Sequence, residues 1–146
     1  MAGPVEMISF VARRLIQFER RFAQTDLNHR REISSLFSQI SKTILVMLEE
    51  LDRDHLPHKA CRDLILYSTR ILNSTKEELG ADEADRLSTA FGEACDKEKV
   101  FLEYRLSDRK EYLTEELEKA SILIQALANG IYIEPAISEP LDPEPL

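Results

Sequence analysis

A chain of 146 residues can bury roughly two-thirds of the surface that it exposes when unfolded, so a self-standing core is expected. Four glycines, no tryptophan and 32% charged residues weigh against a turn-rich sheet protein and favour polar-faced helices. The formal charge of −8 argues against non-specific nucleic-acid binding, which needs positive charge facing phosphate, so no nucleic-acid partner is expected.

Charge is unevenly spread. Residues 1–31 carry six arginines against Glu6, Glu19 and Asp26, a net +3, which leaves −11 on the remainder. Such asymmetry predicts either that the N-terminal helix packs on the acidic remainder or that it faces something anionic. Two cysteines make no disulfide framework, and no long apolar leader is apparent, so a reducing cytoplasm is the expected location. Glu6 and Glu19 speak against reading the start as a mitochondrial targeting peptide. The longest apolar run is Ile44 to Leu48, far short of the roughly 20 residues that span a bilayer.

Along the chain, Pro4 suits a first helical position, and Ile8, Val11, Leu15, Phe18 and Phe22 follow as one amphipathic stripe. The stripe falters at Thr25 to His29 and resumes as Ile33, Leu36, Ile40, Ile44, Met47 and Leu51. Because no Gly or Pro interrupts it, one continuous or gently kinked helix is expected over 4–53, although Thr25 to Asn28 offers N-caps for two. A turn belongs before Pro57. The next stripe, Cys61, Leu64, Ile65, Ser68, Ile71, Leu72, Thr75 and Leu79, ends at Gly80, a natural helix terminator. Asp82 is expected to cap a third helix through Ala84, Leu87, Phe91, Ala94, Cys95, Phe101 and Leu102, then Leu113, Leu117, Ala120, Ile124 and Leu127. Asp108 with Glu111 makes a capping-box-like pair, so the helix is expected either to break near Ser107 or to continue through it, and Asn129-Gly130 is expected to end it. The acidic residues beyond Glu134, with four prolines and no basic residue, are expected to form a flexible tail.

The expected fold is therefore all-α. It is an antiparallel bundle of three long helices, or four to five shorter ones, over 1–133, followed by a disordered acidic Pro-rich tail over 134–146.

Few residues suggest chemistry. Asp26 with His29 and Asp52 with His55 have the i, i+3 spacing of helical metal ligands, but some 39 Å of continuous helix would separate the pairs. His55, His58 and Cys61 form a second ligand-like cluster, although Cys61 lies on an apolar stripe and the histidines in a turn. No nucleophile elbow or phosphate-cradling glycine loop occurs. No catalytic residue, metal or cofactor is assigned. Polar residues interrupt the stripes at His29 and Glu98, with Arg105 further on; a helix rotation that brings them to solvent accounts for this. Arg13, Arg14, Arg20 and Arg21 repeat at seven residues along one side of the first helix. Leu66 and Tyr67 are expected on the outward side of the second, and Val100 and Tyr104 on that of the third.

These eight residues are the expected interaction sites of a non-catalytic adaptor, scaffold or regulatory subunit that binds a protein partner and self-associates through its long helices. One alternative is a peripheral binder of anionic membranes through the basic amphipathic helix 4–24. The other is a metal-dependent helical enzyme or carrier using His55, His58 and Cys61.

Overall fold

A computed structural model of the chain describes residues 3–138, with side chains as far as residue 131. It is all-α. Seven helices follow one another among the described residues: α1 (Pro4–Ile16), α2 (Glu19–Ala23), α3 (Leu27–Asp52), α4 (His58–Leu79), α5 (Ala81–Ala94), α6 (Lys97–Leu106) and α7 (Lys110–Ser138). That is more than the three long or four to five shorter helices expected, because local hydrogen bonds break the long stripes.

The expected continuous helix over 4–53 is interrupted twice. At Gln17 and Phe18 the N–H groups bond to Arg14 and Leu15 carbonyls, three residues back, which tightens the turn and bends the chain into α2. At Asp26 the backbone is extended, and the carboxylate accepts the His29 N–H at 3.0 Å, capping α3. A short polar side chain thus stops a helix without help from Gly or Pro. Asp96 does the same for α6, accepting the Glu98 and Lys99 N–H groups at 3.0 and 3.1 Å. Ser107, also extended, separates α6 from α7. Asp82 is not the N-cap of α5 but lies in its first turn, because Gly80, at φ +88°, reverses the chain in a single residue.

Helix α3 ends in a Schellman motif. Asp54 takes the left-handed conformation (φ 60°), His55 N–H donates to the Glu50 carbonyl and Asp54 N–H to that of Leu51. Helix α7, in contrast, passes through Gly130, the expected stop, and through Pro135 into the expected tail. Gly130 does not adopt the positive φ that ends a helix. It supplies room instead, since a Cβ there would come within 2.5 Å of Glu19 Oε2. Pro135 removes one N–H from the ladder without stopping it within the described residues. Of the tail expected over 134–146, residues 139–146 lie outside them.

Polar contacts give the helix directions. Ser34 Oγ donates to the Ala128 carbonyl, Ser38 Oγ to Gln125 Oε1 and Ser41 Oγ to the Ser121 carbonyl, so α3 and α7 run antiparallel. Glu50 accepts the Ala60 N–H while His29 meets Glu78, so α4 returns along α3. Ser88 Oγ donates to the Ser68 carbonyl at 2.6 Å, laying α5 back on α4. Helix α1 packs on α7 and α5, and α1 and α2 run in the same direction as α7, Ser9 of α1 lying by Glu116 and Glu19 of α2 by Gly130, so the bundle is not antiparallel throughout, unlike the one expected. One core results. Phe22, Phe37 and Phe91 are its largest fully buried side chains, with Phe22 and Phe37 edge to face at 5.5 Å. Each fully buried large apolar side chain contributes about 1.5–3 kcal/mol.

Candidate functional site

Three of the N-terminal arginines bond to other helices of the fold while lying at its surface, Arg13 and Arg21 exposed and Arg14 half-buried. Arg13 Nη2 lies 3.2 Å from Glu116 Oε1, a buried carboxylate that also accepts the Ser9 hydroxyl at 3.0 Å. Arg14 Nε donates to Glu83 Oε2 at 2.8 Å, and this hydrogen bond holds the Glu83 carboxyl below the usual carboxylate range. Arg21 Nη1 donates at 3.1 Å to the Glu78 carbonyl, an acceptor that the last turn of α4 leaves open. Between them the Phe18 ring lies under both Arg14 and Arg21, at 5.2 and 5.5 Å. Arg20 is exposed. The basic start therefore packs on the acidic remainder, and the stripe residues Ile8, Val11, Leu15 and Phe22 are buried, with Phe18 half-buried.

The ligand-like pairs have structural uses. Asp26 caps α3, and Asp52 Oδ1 accepts the Tyr104 hydroxyl at 2.6 Å. His55 and His58 are exposed while Cys61 is buried, its thiol pushed up to about 12 chiefly by desolvation. Among the described residues no three His, Cys, Asp or Glu side chains are grouped to hold a metal ion. His29 is half-buried, with Nε2 at 3.3 Å from Glu78 Oε1. Both line a depression of about 520 Å³ between the start of α3 and the end of α4, where Asp26, Glu32 and Glu77 also lie. Its wall is polar and offers little apolar surface to bury a ligand. Glu98 and Arg105 reach solvent, Arg105 lying 4.0 Å from Asp54.

Helix α6 corrects the expected face. Val100 and Tyr104, expected outward, are buried, and Leu102, expected in the core, is 52% exposed. The hydroxyl of Tyr104 is satisfied by Asp52 and by Thr114 Oγ1 at 3.1 Å. Burial, and then the Asp52 hydrogen bond, raise its phenol pKa. Apolar residues occur all round this short helix, so its phase is set by the space its neighbours leave. Neither Val100 nor Tyr104 is available to a partner in this fold.

Helix α4 presents the outward apolar pair. Leu66 is 59% exposed, as expected, and Tyr67 is half-buried with Arg70 above its ring at 5.9 Å. Ile65, expected in the core stripe, is instead 46% exposed, and Leu72 only half-buried. Close packing explains the difference. Ser68 and Ser88 meet directly, and a Cβ on Gly92 would lie 3.5 Å from Ser68 Oγ, so small residues fill the α4–α5 seam and leave its apolar flank outside. Arg62 and Arg70 are exposed one turn to either side of Leu66. From its start to Lys76, α4 carries Lys59, Arg62, Arg70 and Lys76 against Asp63 alone, in a chain of net charge −8. This cationic stretch is legible in the sequence as charge, but its scattered spacing makes a weaker pattern than the arginine doublets do.

No helix of the described residues is long and apolar enough to cross a membrane. No protein-family model matches this chain, and neither a curated protein nor a solved structure shows detectable similarity to it.

Proposed function

We propose that this chain is a non-catalytic protein–protein interaction module, a helical bundle that docks a partner on the outward face of α4. The observation that carries the reading is the exposed pair Ile65 and Leu66, set between Arg62 and Arg70. Adjacent apolar side chains held out on a rigid helix lose little entropy on binding, and flanking guanidinium groups select carboxylates beside the partner's apolar anchor. The partner segment is accordingly apolar and acidic. Two free thiols suit a reducing compartment such as the cytoplasm.

The test is capture from the protein's own cells with the wild type and with Ile65→Ser/Leu66→Ser. A partner recovered with the wild type and lost with the variant, at unchanged melting temperature, supports the reading. Equal recovery moves the interface elsewhere. Light scattering on the same proteins shows whether the partner is a second copy, in which case the variant reduces the measured mass.

A further inference from the structure

The two cysteines are far apart in sequence and share no role in the proposed docking face. Their placement is nevertheless specific. Helices α4 and α5 are antiparallel, with a register pinned where Ser88 Oγ donates to the Ser68 carbonyl at 2.6 Å. Cys61 lies two helical turns before Ser68, and Cys95 two turns after Ser88. The register that pairs the serines therefore carries one thiol opposite the other. Both side chains are buried, at 2% and 1% exposure, and both thiols are free. The small residues Ser68, Ser88 and Gly92 fill the seam between the two helices, a Cβ on Gly92 lying 3.5 Å from Ser68 Oγ, and a disulfide needs backbones that approach closely, with Cα atoms about 4.4–6.8 Å apart.

We propose that Cys61 and Cys95 form a redox lock, closing to an intramolecular cystine that ties the first turns of α4 to the end of α5 when a low-molecular-weight disulfide oxidant is present. The oxidant is of the oxidised-glutathione class. Cys95 loses its proton and attacks one sulfur of the oxidant, giving a mixed disulfide and one released thiolate. Cys61, deprotonated in turn, attacks Cys95 Sγ, forming the Sγ–Sγ bond and expelling the second thiolate. The two protons end on the two released thiols, so the cysteine pair loses two electrons and the oxidant gains them.

Burial sets the rate. Desolvation raises both thiols, that of Cys61 to about 12, and each ionised sulfur would repel the other, so the closed fold holds them as unreactive neutral thiols. Attack needs the end of α5 to open. Cys95 is the C-cap there, its N–H bonded only to the Gly92 carbonyl at 3.2 Å, and the chain turns at Asp96 immediately after it. The product, in contrast, suits the core. A cystine is neutral and apolar, whereas a metal dithiolate would place negative charge in the same apolar surroundings. The cross-link also restricts the unfolded chain, so the oxidised protein is the more stable form.

The experiment uses the full chain, incubated with oxidised glutathione, quenched in acid and alkylated under denaturing conditions. The expected product is a monomer lighter than the reduced protein by two hydrogen atoms, with neither cysteine alkylated and the Cys61 peptide joined to that of Cys95. Its melting temperature rises by several degrees and returns on treatment with dithiothreitol. Cys61→Ala and Cys95→Ala each give at most one glutathione adduct and no such rise. Since these comparisons between oxidised and reduced wild type do not depend on either variant folding, the proposal stands or falls on the native chain. A monomer holding two glutathiones, a disulfide-linked pair of chains, a linked monomer that melts lower, or thiols still free after the α5 amides have exchanged would each overturn it.

Discussion

Helices α1 and α6 touch each other, are of similar length and teach opposite lessons. In α1 the stripe Ile8, Val11 and Leu15 lies on one side, and the other carries the exposed Glu6 and Arg13 with Phe10 as its one large apolar residue, so the sequence alone orients the helix. In α6, Val100, Phe101, Leu102, Tyr104 and Leu106 surround the axis, and two of them, Leu102 and Leu106, end up 52% and 77% exposed. Amphipathic contrast, rather than apolar content, is what makes a helical phase readable.

The comparison breaks most sharply at the α1 core. Leu15→Ala should cost about 2–5 kcal/mol in urea unfolding, because the side chain is fully buried. A cost below about 1 kcal/mol would place that face of α1 at the surface. Val100→Ala comes next, at about 2 kcal/mol for its lost methyl groups and the cavity left behind, whereas Leu102→Ala should cost under about 0.5 kcal/mol. If the two cost the same, α6 is rotated from the phase described. Tyr104→Phe removes only the bonds to Asp52 and Thr114 and should cost about 1 kcal/mol, measured in the same way; no loss would mean that the hydroxyl is already wet.

The smallest effects concern two carboxylates that hold opposite ends of α1, and their pH dependence has opposite signs. Glu103 accepts the Val5 N–H at 3.1 Å, yet desolvation outweighs that bond and raises its carboxyl. Its ionised form opposes folding, so Glu103→Gln should stabilise, with the full gain above the raised folded value and a decline as pH falls through it toward the ordinary carboxylate range. Glu83 is lowered by Arg14, so Glu83→Gln should destabilise, with the full loss above the ordinary range and a decline as pH falls through the lowered folded value. Urea midpoints between about pH 7 and pH 3 check both. Parallel curves for the two variants would contradict the contrast.

Legibility divides in the same way at the candidate site. Leu66 stands out because it lies one position beyond the stripe of α4 on a helix with clear polar neighbours, and it is exposed as expected. Ile65 and Leu72 are not readable, because Ser68, Ser88 and Gly92 draw α5 so close that the stripe is covered on one side only. The arginine doublets mark a basic face correctly, but their destination is Glu116, Glu83 and the end of α4. Helix ends go both ways. Gly80 reads as a terminator and is one, while Gly130 reads as a terminator and is a point of close approach to Glu19.

Spacing and backbone chemistry within a few residues suffice for the helical class, the burial of the α1 and α3 stripes, and the breaks that Gly80 and Pro57 impose. The rotation of α6, the occupation of the arginines and the proposed pairing of Cys61 with Cys95 across α4 and α5 emerge only when the helices pack. Rotation about a helix axis and the choice of an ion partner cost little locally, so distant neighbours set them through the volume that they leave and the charges that they present.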